Sequence, residues 1–435
     1  MLKKSDKSKA RSDNLLKFVH TADLHLGSPL ASISGREDPI ASQLARATFQ
    51  GFENIVDLCI QEKVDFLLIS GDIYDGADRG VYEQLTFRKY LQRLSESGIR
   101  VYLAFGNHDP LEGWAAHINW PKNVHVMRGD EPERALFRGS NGREVAIVGI
   151  SYQTGETYEN LATRFPQKKA DWPFTIGMLH CTLDAGAGHE PYSPCSLKDL
   201  IQPGYDYWAL GHIHKPTVIQ RSRPAIVYSG NPQGRDIGER GPRGCYLVSV
   251  DEEHNVDAQF VETASIRWED VEISIDGAET ENDLLERIGD TQSHLREKSG
   301  GRGVLYRLKL TGRGGVHARL IREGTIPQIL QWFRDNERGK EDFVLLERII
   351  DRTEPPIDRE QVAKRADIVG DIIQITDDIL ESDEALLALR PVLADLFESP
   401  KGQEYITELN LDELRELVRG AETYLLDQFV GDDPQ

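Results

Sequence analysis

LLKFVHTADLH (residues 15–25), VDFLLISGDIYD (64–75) and VYLAFGNHD (101–109) are three apolar runs, and each one stops at a group of polar side chains. A short, unbroken apolar run fits a strand buried on both faces, as in a parallel sheet. Between the first two runs Leu44, Ala47, Phe52, Ile55 and Cys59 recur at helical spacing, and a second helix, from about Tyr82 to Ser95, precedes the third. This β-α-β-α-β series implies a largely parallel sheet. Beyond about Arg134 strands dominate: EVAIVGIS (144–151), FTIGMLH (174–180), YDYWALG (205–211), AIVYSG (225–230) and GCYLVSV (244–250). An α/β sandwich over residues 15–265 accommodates all of them.

The remainder divides differently. From 266 to 350 strands alternate, with Val271, Ile273 and Ile275 in one, and Tyr306, Leu308 and Leu310 set against Arg307 and Lys309 in another. A small α+β cap domain is expected there. DRTEPPID (351–358) is expected to be a linker, because Pro355 and Pro356 break regular structure. Residues 351–435 as a whole form the linker and a helical carboxyl-terminal domain. Asn410 and Glu413 suggest a capping box, and Leu414, Leu417, Val418, Ala421 and Leu425 mark an apolar stripe. That stripe suits packing on its own domain or docking on another protein.

Composition narrows the class. The chain has 435 residues, 39% hydrophobic and 28% charged, so two or three domains are expected. No apolar stretch approaches the ~20 residues that cross a bilayer, and no membrane association is expected. MLKKSDKSKARSDN (1–14) lacks the apolar run of a secretory signal and is read as a disordered basic tail. Cys59, Cys181, Cys195 and Cys245 lie far apart, which argues against a zinc knuckle or disulfide framework and leaves the cytoplasm as the expected compartment. The net charge of −21 is uneven, roughly −5 over residues 1–265 and −16 beyond. Such acidity disfavours non-specific adhesion to DNA, yet it permits a local phosphate-binding groove.

The polar strand ends carry the chemistry. They supply Asp23 and His25; Asp72, with Asp75 beyond it; Asn107, His108 and Asp109; His180; and His212 and His214. In open α/β sheets the carboxyl ends of strands line one crevice, so these side chains can converge. Oxygen donors mixed with imidazoles suit Mn²⁺, Fe²⁺ or Zn²⁺. Seven ligands exceed one ion's needs and suffice for two if a carboxylate bridges them, and paired metals assist in-line phosphoryl displacement. Singly, each fragment has a bland explanation: GDxxD is often a turn, and a strand-end histidine often only bonds to backbone. Five such ends in one chain are hard to attribute to chance.

Together these residues resemble the calcineurin-like metallophosphoesterase family, whose pattern is D-x-H, G-D-x-x-D, G-N-H-D, a lone His and G-H-x-H. The resemblance implies an αββα sandwich. It also implies that Asp23, His25, Asp72 and His214 hold one metal, and that Asp72 bridges to a second held by Asn107, His180 and His212. His108 carries over as the group that contacts the scissile phosphate and protonates the leaving oxygen, with Asp109 orienting it. The segments LHCTLDAGAGHEPYSPCSLKDL (179–200), GYDYWALGHIHKP (204–216) and YSGNPQGR (228–235) are similar to bacterial DNA-repair exonucleases of the SbcD and YhaO type. That likeness implies a Mn²⁺-dependent 3′ to 5′ DNA exonuclease in repair or recombination, working with an SMC-like ATPase or as a homodimer. Some relatives have a second functional histidine where this chain has Asp75.

Support from charge is modest. Lys215, Arg221, Arg223, Arg235, Arg240 and Arg243 follow the GHIH motif, and Arg235, Arg240 and Arg243 are the candidate phosphate contacts. Arg302, Arg307, Lys309, Arg313, Arg319 and Arg322 form a second cluster that is equally well an ordinary solvated face. Tyr192 is a candidate for base stacking, whereas Trp208 sits in an apolar strand and is assigned to the core. Two other readings remain open from sequence alone: a phosphodiesterase for cyclic or small nucleotides, and a non-catalytic DNA-binding or scaffold subunit.

Overall fold

The computed structural model describes residues 15–30, 39–76, 80–113, 118–139, 142–184, 190–356, 359–393 and 409–430. The basic tail, part of the expected linker and the segment 185–189 lie outside the described residues. Two six-stranded sheets form first. One runs in the order β12 (Val256–Glu262), β11 (Gly244–Val250), β1 (Leu16–Thr21), β2 (Phe66–Ser70), β3 (Arg100–Ala104), β4 (Val124–Val126). The other runs β5 (Glu133–Arg138), β6 (Glu144–Gly149), β7 (Phe174–His180), β8 (Tyr207–Gly211), β10 (Ala225–Tyr228), β9 (Thr217–Gln220). Strands β1 to β4 are parallel, as are β6, β7, β8 and β10.

Period-two alternation decides which layer each side chain enters. Phe18, Phe66, Leu68 and Tyr102 point between the sheets, where they meet Ile147, Ile176, Tyr207 and Val227. Their neighbours Val19, Leu67, Ile69 and Val101 face outward onto Phe52, Ile55, Cys59, Phe87 and Leu91. Those residues belong to helices α1 (Pro39–Glu62) and α2 (Val81–Glu96). On the outer face of the second sheet Trp208 and Leu210 pack with Phe165, Leu200 and Tyr205. The αββα sandwich follows, with Trp208 fully buried and its Nε1 donating to Leu200 O at 2.7 Å.

By contact density the chain divides into two units. The first reaches Glu269 and takes in Lys298–Leu305 and Glu337–Leu345; the second comprises Asp270–Glu297, Tyr306–Asn336 and the described residues from Leu346 onward. A three-stranded sheet has the order β13 (Ile266–Ser274), β14 (Gly303–Thr311), β15 (Val344–Asp351). The N–H groups of Arg352 and Glu354 donate to Leu310 O and Gly312 O, so the chain stays on β14 until Pro355, and any linker is shorter than its prolines suggest. The helix Leu411–Val430 carries the expected capping box: Asn410 N–H donates to Glu413 Oε2 at 2.7 Å, and Glu413 N–H to Asn410 Oδ1 at 3.0 Å. Its apolar stripe splits, since Leu414 and Val418 are buried while Leu417 and Leu425 are exposed. Among the described residues no helix is long and apolar enough to cross a membrane.

His20 sits fully buried in β1 with its Nδ1 3.0 Å from Tyr207 Oη, and burial pushes its pKa down to about 3. Between pH 6 and 4 the folded chain leaves His20 neutral while the unfolded chain protonates it, so acid favours unfolding. His20→Gln is expected to flatten the pH dependence of urea-unfolding stability in that window by about 1.4 kcal/mol per pH unit. Parallel wild-type and variant slopes would contradict this placement.

Candidate metal centre

Every motif loop leaves the carboxyl-terminal end of a strand: β1, β2 and β3 in one sheet, β7 and β8 in the other. The loops are tied together before any side chain is considered. Pairing of β1 with β2 continues past both strands, as Asp23 N–H donates to Gly71 O at 3.0 Å and His25 N–H to Asp72 O at 3.1 Å. Asp23 (φ 54°), His25 (φ 42°) and Asp72 (φ 53°) on this path adopt left-handed backbone, as does His212 (φ 97°) beyond β8. Such conformations cost roughly 1–3 kcal/mol each and cluster where function fixes a side chain. The glycines of GD and GN are required by close approach. A Cβ on Gly71 would lie 2.3 Å from His180 Nδ1, and one on Gly106 would lie 2.3 Å from Asp72 Oδ1.

The structure gathers five of the expected ligands by their donor atoms: those of Asp23, His25 and His214 fall within 4.8 Å of one another, as do those of Asp23, Asp72 and His180. Asn107 Oδ1 lies beside them, 3.0 Å from His180 Nε2. His212 joins through its backbone N–H, which donates to Asp23 Oδ1 at 2.9 Å, while its imidazole Nε2 lies 3.2 Å from Glu190 O. The tautomers are set from behind. His180 Nδ1 bonds Ser70 O at 2.9 Å, His25 Nδ1 bonds Asp75 Oδ1 at 2.9 Å, and His214 Nδ1 bonds Glu239 Oε1 at 2.5 Å. With Nδ1 carrying the proton, each Nε2 presents a lone pair. The Nε2 atoms of His25 and His214 are 3.2 Å apart, and His180 Nε2 is 3.3 Å from Asp72 Oδ2. Lone pairs aimed at one another in a buried site repel unless a cation lies among them, so this donor set fits metal ions.

Electrostatics agree. Burial pushes the Asp23 carboxyl up, against the pull of His180 and His214. Burial pushes Asp72 the same way, but His180, His25 and His108 override it and hold Asp72 well below the usual carboxylate range. His180 is pulled up to about 9, since the charge and hydrogen bond of Asp72 outweigh burial. His212, buried beside His180, is pushed down to about 3. His180 and His214 are thus held toward the charged form while burial pushes His25 and His212 toward the neutral one, and bound metal would supply the charge that the two raised histidines otherwise carry.

Three expected roles change. Asp109 does not serve mainly to orient His108. It is buried, and it accepts from Gly106 N–H (2.8 Å), Ile73 N–H (2.6 Å) and Tyr74 N–H (3.2 Å), which locks the GNHD loop to the GDxxD loop. The carboxylate beside His108 is Asp75, whose Oδ1 lies 3.5 Å from His108 Nδ1. Arg243 is no phosphate contact. It is buried and donates to His214 O, to Glu239 O at 3.0 Å and to Asn231 Oδ1 at 3.2 Å. Arg235 is engaged as well, with Nη1 3.0 Å from Asp75 Oδ1, while Arg240 stays exposed. The second basic cluster is largely neutralised by acids: Arg307 pairs with Glu347, Lys309 with Glu272, Arg313 with Glu354 and Arg319 with Glu281. Glu239 escaped the sequence reading, because 25 residues separate it from His214 and no spacing rule links them.

Residues 16–216 match the calcineurin-like phosphoesterase model, and residues 268–354 match the middle domain of metallophosphoesterase YhaO. An uncharacterized metallophosphoesterase YhaO of Bacillus subtilis is 36% identical over 410 residues, 94% of this chain and 97% of its own length. DNA double-strand break repair proteins Mre11 of Methanopyrus kandleri and Methanocaldococcus jannaschii are each 25% identical, over 63% and 62% of this chain and 62% and 72% of theirs. The chain belongs to the calcineurin-like metallophosphoesterases, in the branch that contains YhaO and Mre11. It is a phosphodiester hydrolase, and the ligand groups gathered here suit the dinuclear metal site typical of the family.

Glu239 bonds His214 and Asp75 bonds His25, so each would act on a bound metal through the imidazole it holds. Glu239→Gln and Asp75→Asn are each expected to weaken Mn²⁺ binding, followed by calorimetric titration, by about 10–100-fold. Affinities within twofold of wild type would show that the two carboxylates do not set the imidazoles.

Proposed function

We propose that this chain is a manganese-dependent DNA exonuclease that removes nucleotides from 3′ ends in repair or recombination, together with an SMC-like ATPase. The observation that carries the reading is a cluster of ligand-type side chains, five of them with donor atoms close enough to share cations, beside a cleft of about 860 Å³ that His108 also lines. Likeness to the Mre11 double-strand break repair proteins supports DNA over a small nucleotide.

In this reading Asp23, His25, Asp72 and His214 hold one cation, and Asp72, Asn107, His180 and His212 hold the other. When bound, such a pair lowers the pKa of a water and offsets charge on the phosphoryl oxygens. The protein's own groups do the rest. His108 is held by its N–H bond to Asp72 Oδ1 (3.0 Å) and by Asp75 beside Nδ1, so Nε2 is left to donate a proton to the leaving oxygen. Asp109 fixes the loop that presents it. Lys215 lines the cleft and is placed to meet a phosphate of the bound strand.

Stepwise shortening of DNA from its 3′ end in Mn²⁺ is expected, with single-stranded and duplex substrates of defined ends compared. Asp72→Ala should abolish it, and His108→Ala should slow it about 10²–10⁴-fold. Intact DNA alongside cleavage of a small phosphodiester would overturn the nuclease reading.

A further inference from the structure

Tyr192 lines the same cleft as His108, with its ring 5.7 Å from His212 and nearly perpendicular to it. Behind it stands Tyr158, stacked at 5.6 Å with an interplanar angle of 16°. Tyr158 is 56% exposed, and Tyr192 is half-buried, packed in part against the apolar cluster of Leu161 and Tyr228, so the pair lies at the rim of a core. Its geometry is nonetheless fixed. Ser193 N–H donates to Thr157 O at 2.7 Å, joining the residues next to each ring, and Ser193 is itself buried in the left-handed region (φ 40°). Thr182, two residues beyond His180, donates its N–H to Tyr192 O at 2.9 Å, which ties the platform to the strand that carries a metal ligand. An aromatic pair fixed at the lip of a phosphoesterase cleft has a counterpart in a nucleobase, because every base offers a π-face.

We infer that Tyr192, backed by Tyr158, stacks on an unpaired base of the strand whose phosphate reaches His108, so that substrate enters as a single strand or frayed end. This rests on the DNA reading above. A base inside a duplex has both faces covered by its neighbours and cannot offer one to a protein ring without leaving the stack, whereas a terminal or unpaired base can. The platform thus selects for strand ends and unpaired bases by geometry, and it tolerates any sequence.

The test uses the full chain with Mn²⁺ and end-labelled single-stranded oligonucleotides, intact or lacking the base at the terminal or the penultimate nucleotide. Tyr192→Ala is expected to raise KM for the intact strand roughly tenfold. Removing the base at one of those positions should raise the wild-type KM by a similar factor, and the two changes together should cost no more than either alone. Tyr192→Phe, which keeps the ring, should restore sensitivity to base removal. A folding defect would penalise both substrates equally, so it cannot imitate this pattern. Additive penalties at both positions would overturn the stacking platform while leaving the nuclease standing. Wild-type protein that leaves every oligonucleotide uncut would overturn the nuclease reading itself.

Discussion

Lone pairs facing lone pairs in a buried pocket are the constraint on which this molecule is organised. Each of three imidazoles has its Nδ1 tied from behind, and each directs Nε2 at another acceptor, down to 3.2 Å between His25 and His214. Buried carboxylates at Asp23 and Asp72 add two more acceptors. Without cations such a cluster can only gather protons, which is what the raised His180 and His214 reflect. With cations the same geometry is satisfied. The sandwich exists to hold those atoms in place: parallel strands bring their ends to one rim, and strained backbone at Asp23, His25 and Asp72 is held by pairing that outlasts the strands themselves.

The supporting shell explains why some prominent charges are unavailable to a substrate. Arg235, Asp75, Ser28 and His25 form one connected network, and Glu239, Arg243, Asn231 and His214 form another. Guanidinium groups that look in sequence like phosphate contacts instead secure the carboxylates and carbonyls behind the ligands. That arrangement is also compatible with a net charge of −21, since a phosphodiester hydrolase can hold a phosphate in its cleft without a basic surface.

Much of this was legible in the residues. Apolar runs ending in polar groups located the strands, and in the structure Phe18 and Val19 turn to opposite layers. The candidate ligands could be named because strand ends in such sheets share a crevice. Less visible were contacts that depend on loop closure in three dimensions. Asp109 follows His108 directly and so invited the orienting role, yet its carboxylate turns inward to three backbone N–H groups, and Asp75 comes round from another loop. Edge strands such as β4, three residues long and only half-buried, carry too little apolar signal to be read from sequence.

The most direct test of the account is the number and coupling of metal ions in the purified protein. Elemental analysis of Mn²⁺-loaded chain combined with electron paramagnetic resonance should give two ions per chain, magnetically coupled as expected for centres about 3.5–4 Å apart. One ion per chain, or two that behave independently, would contradict a bridged pair at Asp72.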